Sequence, residues 1–259
     1  MGITAAITRW LIPTAARGPG RSTPALPFPH PFAGDQGGQR VALTVGEARS
    51  LADRIGRVQD WQAFYEDTTI NRLVANAALA GDQTIFEFGC GTGRLAARLL
   101  ASLPPTVNYL GVDVSPVMVS LATRRVAARA KQARIVLVDG SLPLPADDGC
   151  ADRVLSTFVF DLLDEAYART VLDDLRRILA PNGRLCIASL GHGDRLAERA
   201  ISRTWMRLWR FAPKVLGGCR LVSVTALLEH GWNVEHHSRV HRLGLVMDVV
   251  IATPDTRQR

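Results

Sequence analysis

Long apolar runs are missing: no stretch approaches the roughly 18 residues that a helix needs to cross a bilayer, so no transmembrane helix is expected. Cysteine is scarce as well. The four present, Cys90, Cys150, Cys186 and Cys219, are widely spaced and form no C-x-x-C pair, which argues against a disulfide framework or a zinc site and fits a reducing cytoplasm. Acidic residues are in deficit. Against 31 Lys and Arg stand 24 Asp and Glu, a formal charge of +7. That excess favours an anionic partner without choosing between a nucleic acid, a membrane surface and an acidic metabolite. The first acid is Asp35, and before it stand Arg9, Arg17 and Arg21 among Pro13, Pro19, Pro24, Pro27, Pro29 and Pro31. Residues 1–40 therefore read as a disordered leader. Its apolar patch at 10–12 is too short for a signal-peptide core, and position 6 lacks the Ser or Thr of a myristoylation site.

What is present fits one domain over 41–259 with a single core, since 47% hydrophobic and 21% charged residues are ordinary for a globular chain. From 44 to 80, apolar residues recur every three or four positions, Leu51, Ile55 and Val58 and then Trp61, Phe64 and Tyr65, which predicts an N-terminal helical lid over 41–80. Beyond it strand and helix patterns alternate. Strands are predicted at 84–88, 109–113, 134–138, 153–157 and 184–189, and helices at 93–103, 116–131 and 166–179, with Pro181-Asn182-Gly183 stopping the last. Each parallel neighbour needs a crossover, so these strands imply a parallel sheet with helices on both faces. Segments 232–240 and 245–252 are too close for a crossover and should pair antiparallel. The expected fold class is α/β: a Rossmann-like, doubly wound sheet of seven strands, mostly parallel, with an antiparallel C-terminal hairpin.

The first predicted strand runs into Glu87-Phe-Gly89-Cys-Gly91-Thr-Gly93. Glycines at such a turn let the main chain bend sharply and approach a ligand that a Cβ would push away; the bland alternative is a tight turn with no ligand. A dinucleotide fingerprint would need its third glycine at position 94, where Arg94 stands. Asp113 ends the second strand, where a carboxylate can accept both hydrogen bonds of a ribose diol. Ser115 before Pro116 is the stronger cap of the next helix, which leaves Asp113 for the ribose. Asp139-Gly140-Ser141 follows the third strand, and there Asp139 either meets a ligand or stabilises the turn before Pro143. Ser156-Thr157-Phe158 follows the fourth.

The acid-x-Gly-x-Gly-x-Gly turn, with Val112-Asp-Val-Ser-Pro116, Leu179-Ala-Pro-Asn-Gly183 and Gly217-Gly-Cys-Arg220, resembles the class I S-adenosylmethionine-dependent methyltransferases over residues 58–252. Within them it is most similar to the branch of quinone C-methyltransferases and soluble bacterial phospholipid N-methyltransferases. The resemblance implies S-adenosyl-L-methionine as cofactor, held by Glu87, Gly89, Gly91, Gly93, Asp113, Val114, Asp139, Gly140, Ser156 and Phe158. It places Asp139 toward the adenine amino group and residues 156–158 near the methionine portion and the incoming acceptor. Acids at strand ends suit the cofactor's sulfonium and ammonium. Enzymes that methylate base amino groups usually carry Asn or Asp, Pro-Pro and an aromatic after the fourth strand, which Ser156-Thr157-Phe158-Val159 does not. Ala52 stands where quinone and lipid relatives often have an aromatic over the cofactor; Trp61 or Tyr65 either takes that lid role or packs in the helix core.

Methyl transfer asks chiefly for alignment, and for a base only where the acceptor must lose a proton. His192, just past the fifth strand, is the first candidate, with a surface loop histidine as the alternative, and Asp161 is the second, with helix capping as the alternative. His230, His236, His237 and His241 form no convincing metal constellation, and no metal is expected. The insertion 192–220 carries seven Lys or Arg against two acids. Over 194–211, Arg195, Arg199, Arg203, Arg207 and Arg210 fall on one helix face, and Ala197, Ile201, Trp205, Leu208 and Trp209 on the other. Tyr65, Trp205, Met206 and Trp209 are expected to line an apolar acceptor site. The acceptor is read as a hydrophobic small molecule or lipid, met by a cytoplasmic enzyme that can touch an anionic membrane surface. An RNA methyltransferase is disfavoured but remains an alternative, and so does a regulatory module that binds the nucleoside without transferring methyl.

Overall fold

The structure, a computed structural model, describes residues 46–47, 49–50, 63–81 and 83–255. The expected leader, most of the expected lid, Ala52, Trp61 and the side chain of Tyr65 lie outside the described residues. Helix α1 (Ala63–Asn76) precedes β1 (Thr84–Phe88), followed by α2 (Arg94–Ser102), β2 (Asn108–Asp113), α3 (Pro116–Arg125), β3 (Ala133–Leu137) and β4 (Ala151–Thr157). Next come α4 (Glu165–Ile178), β5 (Leu179–Gly191), α5 (Leu196–Phe211), the single turn α6 (Val224–Leu227), β6 (Trp232–Arg242) and β7 (Leu245–Pro254). The strands form one sheet in the order β3-β2-β1-β4-β5-β7-β6. Its first five members are parallel, and β7 lies antiparallel between β5 and β6.

This is the expected fold class, and it fixes the winding. From β1 the chain moves outward to β2 and β3, then returns to place β4 on the other side, so the topological switch lies between β1 and β4. Four of the five β1 residues are buried, as a central strand covered on both faces requires. On one face Ile70 and Leu73 of α1, Ala77 just after it, and Leu95 and Leu99 of α2 close over Ile85, Leu155, Cys186 and Ile251. Each of the Ile and Leu side chains among them contributes roughly 1.5–3 kcal/mol of burial free energy.

Past residue 84, two boundaries differ from the sequence pattern by more than two residues. Helix α3 ends at Arg125 and passes into the 3-10 turn Ala127–Arg129, shorter than the apolar periodicity suggested. Pro181-Asn182-Gly183 does not stop α4. That helix ends at Ile178, the chain is extended at Leu179 and already pairs with Ala151, and the motif occupies the irregular start of β5, where the register shifts between Ala151 and Arg153. Arg153 itself is buried within β4. Its Nε donates to Ala77 O at 2.6 Å and its Nη2 to Ala78 O at 2.9 Å, satisfying carbonyls of the turn that follows α1.

Candidate active site

At the carboxyl end of β1 the chain turns back on β2: Gly89 N and Cys90 N both donate to Val112 O at 2.9 Å. Gly91 (φ 51°) has open space where its side chain would stand, whereas Gly93 (φ 75°) packs so closely on α3 that a Cβ would meet Ala122 Cα at 2.7 Å. One glycine thus serves approach from outside and the other serves packing. Arg125 steadies the turn from α3, donating to Thr92 Oγ1 at 2.7 Å and to its carbonyl at 3.1 Å. Gly89 lies against Val159, which joins the loop after β1 to the loop after β4 at the switch point.

Ser115 caps α3 as expected, accepting from Met118 N at 3.1 Å. Asp113, however, is not left unengaged: Oδ2 accepts from Gly91 N and Oδ1 from Ser115 N, each at 2.9 Å. These bonds fix the carboxylate's plane beside the glycine turn, with Val114 half-buried next to it. Asp139 forms a turn with Ser141, accepting from its backbone N at 2.9 Å and its hydroxyl at 2.5 Å, and these bonds hold its pKa below the usual carboxylate range. Gly140 presents its carbonyl to the Tyr167 hydroxyl at 2.5 Å. Ser156 is buried and its hydroxyl has no hydrogen-bond partner among the described residues, and Phe158 adopts φ 56°, an uncommon conformation for an aromatic residue and a typical mark of a functional loop.

Glu87 points into the core, where it accepts the Tyr109 hydroxyl. Burial pushes its pKa up to about 8, against the lowering effect of Tyr109 and with a further push from Asp113. Asp161 is not a helix cap: Asp164 caps α4, accepting from Tyr167 N at 2.8 Å. Asp161 is instead fully buried in the 3-10 turn Phe160–Leu162, bonded by the Ser189 hydroxyl and by Leu190 N at 3.1 Å, and burial raises its pKa to about 7. Sequence reasoning missed its partners, because Ser189 and Arg220 lie far along the chain and no local pattern joins them to it. Arg220 donates its backbone N to Asp161 O at 2.9 Å and its Nε to Leu163 O at 2.8 Å. His192 is exposed beyond β5; partial burial lowers its pKa and Arg220 and Arg239 add to this, while Asp248 opposes them.

Helix α5 packs one step round from the expected face. Glu198 and Trp209 are its buried residues, while Ala197, Ile201 and Leu208 stay exposed. The indole N–H groups of Trp205 and Trp209 donate to Cys219 O at 3.0 Å and Gly218 O at 2.8 Å, fastening α5 to the Gly217–Arg220 segment. Trp205 and Met206, with Phe158, pack on the apolar cluster Leu190, Leu221, Val240 and Met247. The buried Glu198 meets His241, whose Nδ1 lies 2.8 Å from its Oε1. Together with Asp194 these bring three ligand atoms within 4.8 Å of one another, a grouping the histidine spacing alone did not reveal, although Asp194 is already paired with Arg239 at 3.2 Å. A cavity of about 630 Å³ lined by Arg184, Trp232 and Glu235 lies at the opposite end of the sheet and contains none of the expected site residues.

A methyltransferase-domain model matches residues 85–183. Demethylmenaquinone methyltransferase of Thermus thermophilus is 32% identical over 138 residues, 53% of this chain and 61% of that protein. An uncharacterized methyltransferase of Bacillus velezensis is 30% identical over 161 residues, 56% of this chain and 71% of that one. A tRNA N(3)-methylcytidine methyltransferase of Drosophila melanogaster is 27% identical over 135 residues, 51% of this chain and 42% of that one. The match therefore spans less than two thirds of the quinone and tRNA enzymes. Among solved structures, the (4+2)-cyclase SpnF shares the fold with a TM-score of 0.64 at 16% identity, over 85% of this chain and 99% of that one. Family match and sheet order agree with what the strand ends present, and the chain belongs to the class I S-adenosylmethionine-dependent methyltransferases.

Proposed function

We propose that the protein transfers a methyl group from S-adenosylmethionine to a hydrophobic small molecule of the quinone, lipid or secondary-metabolite kind, and that it works in the cytoplasm. The observation that carries this reading is the space beside Gly91 at the switch point, open among the described residues, next to the oriented Asp113 carboxylate and a Ser156 hydroxyl that none of the described residues partners. Those residues fit a nucleoside. Asp113 holds the ribose, Asp139 and Gly140 flank the base, and Ser156 and Phe158 border the methionine end. When bound, S-adenosylmethionine supplies a methyl carbon activated by its sulfonium. Glu87 and Tyr109 support the turn from beneath rather than meeting the ligand directly.

The acceptor side is apolar: Phe158, Trp205 and Met206 border the cluster around Leu190 and Met247. That surface, and the quinone relative at 32% identity, favour an acceptor with little charge. His192, with its lowered pKa, is neutral at pH 7 and takes the proton of a phenol or enol. Asp161 is a positioning residue that ties the loop after β4 to the end of β5.

Isothermal titration with S-adenosylhomocysteine tests the cofactor site, and failure to bind sinks the reading. Labelled cofactor offered with lipid extract, polar metabolites and RNA tests the acceptor, with label expected in the lipid extract. Label in RNA would favour the second reading, which rests on the tRNA-enzyme relative and the basic α5. Binding without any transfer would favour a nucleoside-binding module. His192→Ala should cut turnover by roughly 10²–10⁴ at unchanged cofactor affinity.

A further inference from the structure

Helix α5 turns two kinds of surface outward at once. Arg199, Arg203, Arg207 and Arg210 share one exposed face, and among the described residues their guanidinium groups make no ion pair or hydrogen bond. Like charges at this spacing repel one another, so the stripe is unfavourable until something anionic faces it. Alongside it stand exposed apolar side chains: Leu196 at 86%, Phe211 at 83% and, in the following turn, Val215 at 70%. Leu208 and Ile201 extend the strip, and Gly244 packs against Ile201, bringing the 76% exposed Leu243 of the β6–β7 turn to the same side.

We infer that this face is a docking surface for an anionic lipid bilayer, with the arginines meeting headgroups and Phe211, Val215, Leu243 and Leu196 entering the acyl boundary. Basic residues beside a strip of exposed aliphatic and aromatic ones are what an interfacial helix needs. Three other occupants fit less well. A second copy in a two-fold contact brings arginine against arginine. Residues 1–34 of this chain carry Arg9, Arg17 and Arg21 and no acid, so they cannot neutralise the stripe. An RNA would want aromatic stacking platforms, and four of the five most exposed apolar side chains here are aliphatic. The inference deepens the acceptor reading and rests on it for its purpose: the inner face of α5 borders the acceptor side, so docking by the outer face brings a membrane-dissolved acceptor to the site.

The test is flotation of the full chain with vesicles of phosphatidylglycerol or of phosphatidylcholine, in low and high salt. Retention by phosphatidylglycerol alone, lost in high salt, is expected. A charge near such a surface is worth about fivefold in partitioning, so Arg203→Glu with Arg207→Glu should weaken it by about 25-fold or more. Phe211→Ser with Leu243→Ser should weaken it at unchanged net charge. Both variants should bind S-adenosylhomocysteine as the wild type does, which also shows that they are folded. Failure to float with phosphatidylglycerol, equal retention by phosphatidylcholine, or retention by the charge variant overturns the proposal. So does salt-sensitive RNA binding or a dimer that occupies the face instead. If flotation fails while cofactor binding persists, the docking falls and the methyltransferase reading stands.

Discussion

Glu87 stands one residue from the carboxyl end of a central strand with its carboxyl closed off from water, and its pKa of about 8 compares with 4.5 for the free group. Between those values the unfolded chain is ionised there and the folded chain is not, so unfolding releases a proton. Stability attributable to this group is full below about pH 4.5 and declines as pH rises toward 8, with a slope of up to about 1.4 kcal/mol per pH unit. Asp161, with a pKa of about 7, adds a decline of the same sign. Glu87→Gln cannot ionise, so its melting temperature should fall less than that of the wild type between pH 5 and pH 8. Parallel melting curves would count against a protonated Glu87. The two glycines of the turn make a second contrast. Gly93→Ala combines a left-handed backbone with a clash on Ala122 and should cost roughly 2–4 kcal/mol of stability. Gly91→Ala carries only the backbone cost of about 1–2 kcal/mol, and its methyl enters the open side of the turn. It should therefore lose cofactor affinity at least tenfold in calorimetry while melting only a few degrees lower.

Among elements, those whose signal is local were legible in the sequence. The turn after β1, the Ser115-Pro116 start of α3 and the antiparallel pairing of β6 with β7 all follow from neighbouring residues, and the structure has each of them. Where a distant partner decides, the pattern fell short. Apolar periodicity alone turns Ile201 and Leu208 of α5 inward, whereas in the fold Glu198 is buried beside His241 and carbonyls of the 217–220 segment accept from both indoles, a facing that leaves Ile201 and Leu208 outside. Asp113 follows the same rule: the Ser115 cap points to a carboxylate kept for another role, but the Gly91 N–H that orients it lies 22 residues earlier and reaches it only through the fold. Arg153 is a further case: a charged residue inside a parallel strand makes sense only once α1 ends above it. Replacing it by Met leaves the Ala77 carbonyl without its side-chain donor and the Ala78 carbonyl with only Gln83 Nε2 at 3.4 Å, and should cost roughly 1–3 kcal/mol, measured by urea denaturation. A smaller loss would mean that water reaches those carbonyls.

For the molecule as a whole, the candidate site is an edge rather than a pocket in one element: it draws on the ends of β1, β2, β3 and β4, which come together only when the sheet is complete. A ligand that touches all four binds the native state alone, and at one hundred times its dissociation constant it stabilises that state by about 2.7 kcal/mol. For a chain of this size that corresponds to a rise of roughly 5–10 °C in melting temperature with S-adenosylhomocysteine. Asp113→Ala separates the turn-holding role seen in its hydrogen bonds from the ribose role proposed for it. Without its carboxylate Gly91 N and Ser115 N lose their acceptor, so the ligand-free protein should melt lower, and the ribose loses its acceptor too, so the ligand-induced rise should vanish. The α5 charge variant should behave in the opposite way and keep the full rise, because its substitutions lie outside the strand ends. A rise that survived in Asp113→Ala would put the nucleoside somewhere other than the turn between Gly89 and Gly93.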